Sequence, residues 1–170
     1  IGIRLLGLTE MDKFVKPLIM PVLLYYLIER TAGKIYKSHL ILALAIITAW
    51  IGDVLLLNSQ QIYLIGGILA FLITQVVYLV VFKSNIINTF NNLFREKLLT
   101  SILLMTSYLI FVFFAITQIT GPIKYAVLFY GLIVSIATLF SHYQSQQING
   151  YKYMKLGMTT FLMSDALLAT

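Results

Sequence analysis

The chain is predicted to be all-α, a polytopic bundle of transmembrane helices, and three observations predict it. Of its 170 residues, 60% are hydrophobic and 11% charged, against roughly 45–50% and about 25% in soluble domains. The charges cluster, so that residues 54 to 82, 98 to 123 and 125 to 151 hold no Asp, Glu, Lys or Arg; each run exceeds the ~20 residues that span a bilayer. Stretches such as Ile41-Leu42-Ala43-Leu44-Ala45-Ile46-Ile47 do not alternate polar with apolar, which excludes a transmembrane barrel and leaves helices to satisfy the backbone in lipid.

Six spans follow, at about 14–29, 39–57, 62–82, 98–117, 122–141 and 154–170, within one transmembrane domain covering 1–170. The first opens on Lys16-Pro17, a proline suited to a first helical turn because it needs no backbone donor there, and Gly33 breaks the chain after it. The second starts at His39 and ends at the polar turn Asn58-Ser59-Gln60-Gln61. The third places Phe71, Gln75, Tyr78 and Phe82 on one face by four-and-three spacing. Between it and the fourth, Ile86, Phe90, Leu93 and Phe94 recur at helical spacing in the 83–97 connection, the pattern of an amphipathic helix lying in the headgroup plane. Gly121-Pro122 separates the fourth span from the fifth and Asn149-Gly150 the fifth from the sixth. Gly66 with Ala70, and Gly131 with Ser135, are small-residue pairs that let helices approach closely.

Alternating the spans puts Arg30, Lys34, Lys37, Lys83, Arg95, Lys97, Lys152 and Lys155 on one side, eight of the 12 basic residues. By the positive-inside rule that side is cytoplasmic, so the net charge of +6 marks topology, not nucleic-acid binding. The segment before Phe14 then lies outside and calls for a further span upstream. Together with an opening Ile1 and a close inside an apolar run at Thr170, this reads as a fragment of an integral, multi-pass membrane protein, in the cell membrane if bacterial. Thr48-Ala49-Trp50-Ile51-Gly52-Asp53-Val54-Leu55-Leu56 also aligns with Thr160-Phe161-Leu162-Met163-Ser164-Asp165-Ala166-Leu167-Leu168, an alignment that implies two similar halves running in the same direction.

The absence of cysteine excludes disulfide scaffolds, thiolate metal sites and cysteine nucleophiles. No HExxH, GxSxG, P-loop or GxGxxG pattern occurs, and no metal or cofactor is expected. What remains for chemistry is two acids inside spans, Asp53 and Asp165. A charged Asp at mid-helix costs about 2.5–3.5 kcal/mol on insertion scales, tolerable where it faces a polar cavity or another polar group. The bland alternative for Asp53 is an interfacial cap, since the polar turn at Asn58 is about 7 Å further along the helix. Lys16 could pair with a carboxylate or lipid phosphate, or simply snorkel as an anchor. Gln75 and Tyr78 could line a site or hydrogen-bond between helices; Tyr130 is similar.

In this order, Lys16-Pro17, Gly52-Asp53-Val54-Leu55-Leu56, Gly67 with Phe71 and Tyr78, Tyr130, and Ser164-Asp165-Ala166-Leu167-Leu168 resemble the YhhN-like membrane proteins, the lysoplasmalogenase family. The resemblance implies eight spans, of which this chain would hold the second through seventh. It also implies hydrolysis of the vinyl ether bond of a lysophospholipid among membrane lipids, releasing a fatty aldehyde. Asp53 and Asp165 would be catalytic, and Lys16, Gln75, Tyr78, Tyr130 and Ser164 would bind substrate. One departure is that the family commonly has His where this chain has Gln75, so a proton-transfer role does not carry over. Two other readings compete: a lipid or small-molecule transporter using the two acids as proton or cation sites, and an intramembrane aspartyl protease, disfavoured because Trp50-Ile51-Gly52-Asp53 lacks the first Gly of Gly-x-Gly-Asp.

Overall fold

A computed structural model describes residues 8–31, 36–58, 60–84, 98–121, 123–144 and 151–168. Each predicted span is a helix: α1 (Leu8–Thr31), α2 (Lys37–Leu55), α3 (Gln61–Ser84), α4 (Leu98–Gln118), α5 (Ile123–His142) and α6 (Tyr151–Leu168), and no strand occurs among the described residues. Three of them, at Lys37–Leu55, Gln61–Lys83 and Ile123–His142, are long and apolar enough to cross a membrane. The expected amphipathic helix after Lys83, together with Gly33 and Asn149-Gly150, lies outside the described residues.

Contacts gather into two units, one reaching Val77 and the other starting at Tyr78. The aligned Thr48 and Thr160 segments fall in different units, on α2 and α6.

In the first unit, α1 packs on α2. It starts at Leu8, so Pro17 and Pro21 both lie inside the helix, which corrects the expectation that Pro17 occupies a first turn. Glu10, Asp12 and Lys13 carry no lipid signal, but nothing in them prevents helix formation, so the helix extends beyond its apolar part. The two prolines have a local consequence. In a helix the N–H of residue 21 would bond to the carbonyl of residue 17, and Pro21 has no N–H. The indole Nε1 of Trp50 on α2 supplies the missing donor, 2.8 Å from the Pro17 carbonyl.

Side chains also join α2 to α3. Thr48 Oγ1 and Thr74 Oγ1 lie 2.8 Å apart and share a hydrogen bond, and Thr74 also donates to the Ala70 carbonyl of its own helix at 3.1 Å. Glycines set the approach: the Phe71 ring rests on Gly52, and Leu55 and Leu56 rest on Gly66 and Gly67. The turn between these helices closes with Asn58 Oδ1 accepting from the Gln60 N–H at 3.1 Å.

In the second unit, α5 packs between α4 and α6. Phe82, Ala137 and Met158 form its core, with Tyr78, Leu79 and Phe140 against them, and Phe111 seats on Gly131. Its buried hydroxyls are satisfied: Thr138 donates to the Val134 carbonyl, Ser141 to the Thr138 carbonyl, and Ser101 bonds the Tyr143 hydroxyl. The Gln144 amide donates to the carbonyls of Phe82 at 2.9 Å and Phe140 at 3.0 Å. Gly121, at φ +79°, makes the turn into α5, a backbone conformation that favours glycine.

Two outcomes test this packing. Trp50→Phe should lower stability in detergent by about 1–2 kcal/mol, because it leaves a carbonyl unpaired. The loss should shrink in a Pro21→Ala background, where residue 21 regains its N–H; thermal melts of the four-member cycle measure the difference. Gly131→Ala drives a methyl into Phe111 and should cost about 1–3 kcal/mol. Gly157→Ala, which meets nothing, should be neutral or stabilising by up to about 1 kcal/mol through helix propensity.

Candidate functional site

Asp53 follows Gly52 in the last full turn of α2. It is half-buried and engaged in an interaction. Its position is fixed from two sides. The Phe71 ring pressed on Gly52, with an ideal Cβ there only 2.8 Å from the ring, brings α3 against the preceding residue. The Trp50 bond to the Pro17 carbonyl, about one turn before Asp53 on α2, brings in α1. The side chains of Lys16 and Asp165 lie outside the described residues.

A groove of about 460 Å³ begins at the residue after Asp53, lined by Val54, Leu55, Leu57, Asn58 and Tyr63. The walls are aliphatic, with one amide and one phenol as polar groups, a mixture suited to an amphiphile. Sequence reasoning missed Tyr63 and used Asn58 only as a turn residue. The signal available was the polar turn itself, set within the charge-free run that starts at Val54.

Gln75 lies on α3, four residues after Phe71. It is 0% exposed, and neither Nε2 nor Oε1 has a hydrogen-bond partner among the described residues. Gln75 thus makes no interhelical hydrogen bond among the described residues; the bond between α2 and α3 is made by the adjacent Thr74. Tyr78 belongs to the second unit, where its ring stacks on Phe82 with centroids 6.0 Å apart. Tyr130 is half-buried and engaged, and Ser164 is exposed. The first unit thus holds Lys16, Asp53 and Gln75, and the second holds Tyr78, Tyr130, Ser164 and Asp165.

At the charged ends of the spans, aromatic rings steady the basic residues. Arg30 Nε donates to the Tyr26 hydroxyl at 3.0 Å, which keeps its pKa above the ordinary value, and Lys155 Nζ sits 4.4 Å from the Tyr151 ring centroid. Amphipathic rings beside cations suit a membrane–water boundary.

Three helices long and apolar enough to cross a bilayer give the chain the character of a helical membrane protein. The sequence profile of the YhhN family matches residues 11–170, and the chain belongs to that family. Comparison with curated proteins and with solved structures gives no match.

The seating of Phe71 gives this site its own test. Gly52→Ala should destabilise by about 1–3 kcal/mol, and Phe71→Leu in the same chain should recover part of that loss in thermal melts, because the displaced ring is then absent.

Proposed function

We propose that this YhhN-family chain is part of an integral, multi-pass membrane hydrolase that cleaves the vinyl ether bond of lysoplasmalogens. The observation that carries the reading is Asp53: an acid held half-buried on an apolar helix, with an open groove of about 460 Å³ starting at the next residue.

The chemistry needs an acid and a carboxylate. The acid gives its proton to the β-carbon of the vinyl ether; the C=C electron pair forms the new C–H bond, and the positive charge spreads onto the ether oxygen as an oxocarbenium ion. Water adds to the α-carbon and loses its proton to the carboxylate. The hemiacetal then collapses, breaking the C–O bond to release fatty aldehyde and the glycerophospho alcohol. Glycoside hydrolysis makes the same demand, met by one carboxylic acid and one carboxylate. In this reading Asp53 and Asp165 are that pair, and Lys16 and Tyr130 orient the polar head. Gln75, Tyr78 and Ser164 contribute to substrate binding in the same reading.

The full-length protein in detergent should release aldehyde from lysoplasmalogen. Asp53→Asn and Asp165→Asn should each lower kcat by at least about 10²-fold with the melting temperature retained. Binding or vesicle flux without any aldehyde would instead identify a transporter.

A further inference from the structure

Polar side chains in apolar surroundings report what they were placed to meet. Thr74, Thr138, Ser141 and Ser135 each donate to a carbonyl one turn back. Gln144, 1% exposed, uses its Nε2 on two carbonyls and leaves only Oε1 unpaired among the described residues. Gln75 differs from all of them. It is fully buried, and its donor and its acceptor are both unmet among the described residues, at a cost of about 1–3 kcal/mol for each unsatisfied group. A leucine of similar volume would carry no such cost.

The chemistry of the two unpaired amide atoms narrows the ligand. An ionised carboxylate or phosphate accepts only, and would leave Oε1 unmet; an ammonium donates only, and would leave Nε2 unmet. A hydroxyl oxygen offers one O–H and free lone pairs, so a single atom satisfies both ends of the amide.

The register of α2 on α3 adds the distance. Phe71 lies against Gly52, beside Asp53, and Gln75 is four residues further along α3, about 6 Å by helical rise. Helical side chains lean toward the helix N-terminus, which for Gln75 is the direction of the Phe71 level. In a lysoplasmalogen the protonated vinyl carbon and the sn-2 hydroxyl oxygen are five bonds apart, about 6 Å when extended.

We infer that the Gln75 amide is a hydroxyl-recognition site, filled either by the sn-2 hydroxyl of the lysolipid or by the hydrolytic water; naming these two sources rests on the vinyl ether hydrolase reading above. A site built to hydrogen-bond a substrate hydroxyl rejects the analogue lacking it far more strongly than an apolar pocket does. The sn-2 hydroxyl is also the group that an intact two-chain lipid lacks.

The test uses the full-length protein, Gln75→Leu, and two substrates, lysoplasmalogen and its 2-deoxy analogue. If the substrate supplies the hydroxyl, the wild type prefers lysoplasmalogen by about 10²-fold or more in kcat/KM, and Gln75→Leu removes that preference while keeping its melting temperature. If water supplies it, Gln75→Leu lowers kcat about tenfold or more on both substrates and leaves both KM values unchanged. The inference is overturned if Gln75→Leu matches the wild type in kcat and KM on both substrates. Binding of the saturated 1-alkyl lysolipid and its 2-deoxy form, read by thermal shift, separates this outcome from failure of the hydrolase reading. A wild type that releases no aldehyde yet binds the hydroxyl form more tightly, with the difference lost in Gln75→Leu, keeps the hydroxyl site and sinks the hydrolase. No aldehyde and equal binding of the two forms overturns both.

Discussion

The requirement that each buried polar group find its partner inside the protein organises this structure. A typical hydrogen bond contributes only about 1 kcal/mol net, whereas an unmet buried donor or acceptor costs about 1–3 kcal/mol, and lipid offers no water to make good the loss. Pro21 creates one such unmet group at the Pro17 carbonyl, and Trp50 resolves it from the next helix. A defect in one helix thereby becomes the bond that ties α1 to α2. The Thr48–Thr74 pair ties α2 to α3 by the same logic, and in the second unit the Gln144 amide ties the end of α5 to α3.

Apolar burial contributes differently here than in a soluble protein. Large side chains such as Leu18, Leu99 and Phe113 face outward, each more than half exposed, which suits a lipid solvent in which a leucine gains little by being buried. What draws helices together is close contact at small residues. Phe71 on Gly52, Leu56 on Gly67 and Phe111 on Gly131 put rings and branched side chains against backbone. Adding one methyl at such a seat forces a shift in a packed interior.

The sequence showed the six helical segments because apolar runs bounded by Gly, Pro, Asn and charge are local signals. It did not show where α1 begins, because Glu10, Asp12 and Lys13 speak against lipid without speaking against helix. It suggested the face shared by Phe71, Gln75 and Tyr78, since spacing alone sets that. It gave no hint that Thr74 would pair and Gln75 would not, nor that Trp50 would reach Pro17, 33 residues away; partner choice is a tertiary fact. The small-residue pair Gly131 and Ser135 proved to be half a packing seat, with Phe111 on the glycine and the serine bonded back to its own helix.

The aligned strings around the two acids show how far a sequence match carries physical meaning. In Gly52-Asp53-Val54-Leu55-Leu56, packing accounts for four letters. Gly52 is small because a ring lies on it, Leu55 and Leu56 fill the hollows at Gly66 and Gly67, and Val54 walls the groove. In the second string the small residue is Ser164, which is exposed, so smallness there does not serve a ring pressed against the helix. The two strings share composition without sharing a packing role at that position. The remaining letter of the first string is Asp53, which is engaged within the protein. A carboxyl is costly in an apolar helix, and an alanine would suit the helix better. Asp53 is half-buried and engaged within the protein, and the proposed reaction adds a chemical role to that structural one.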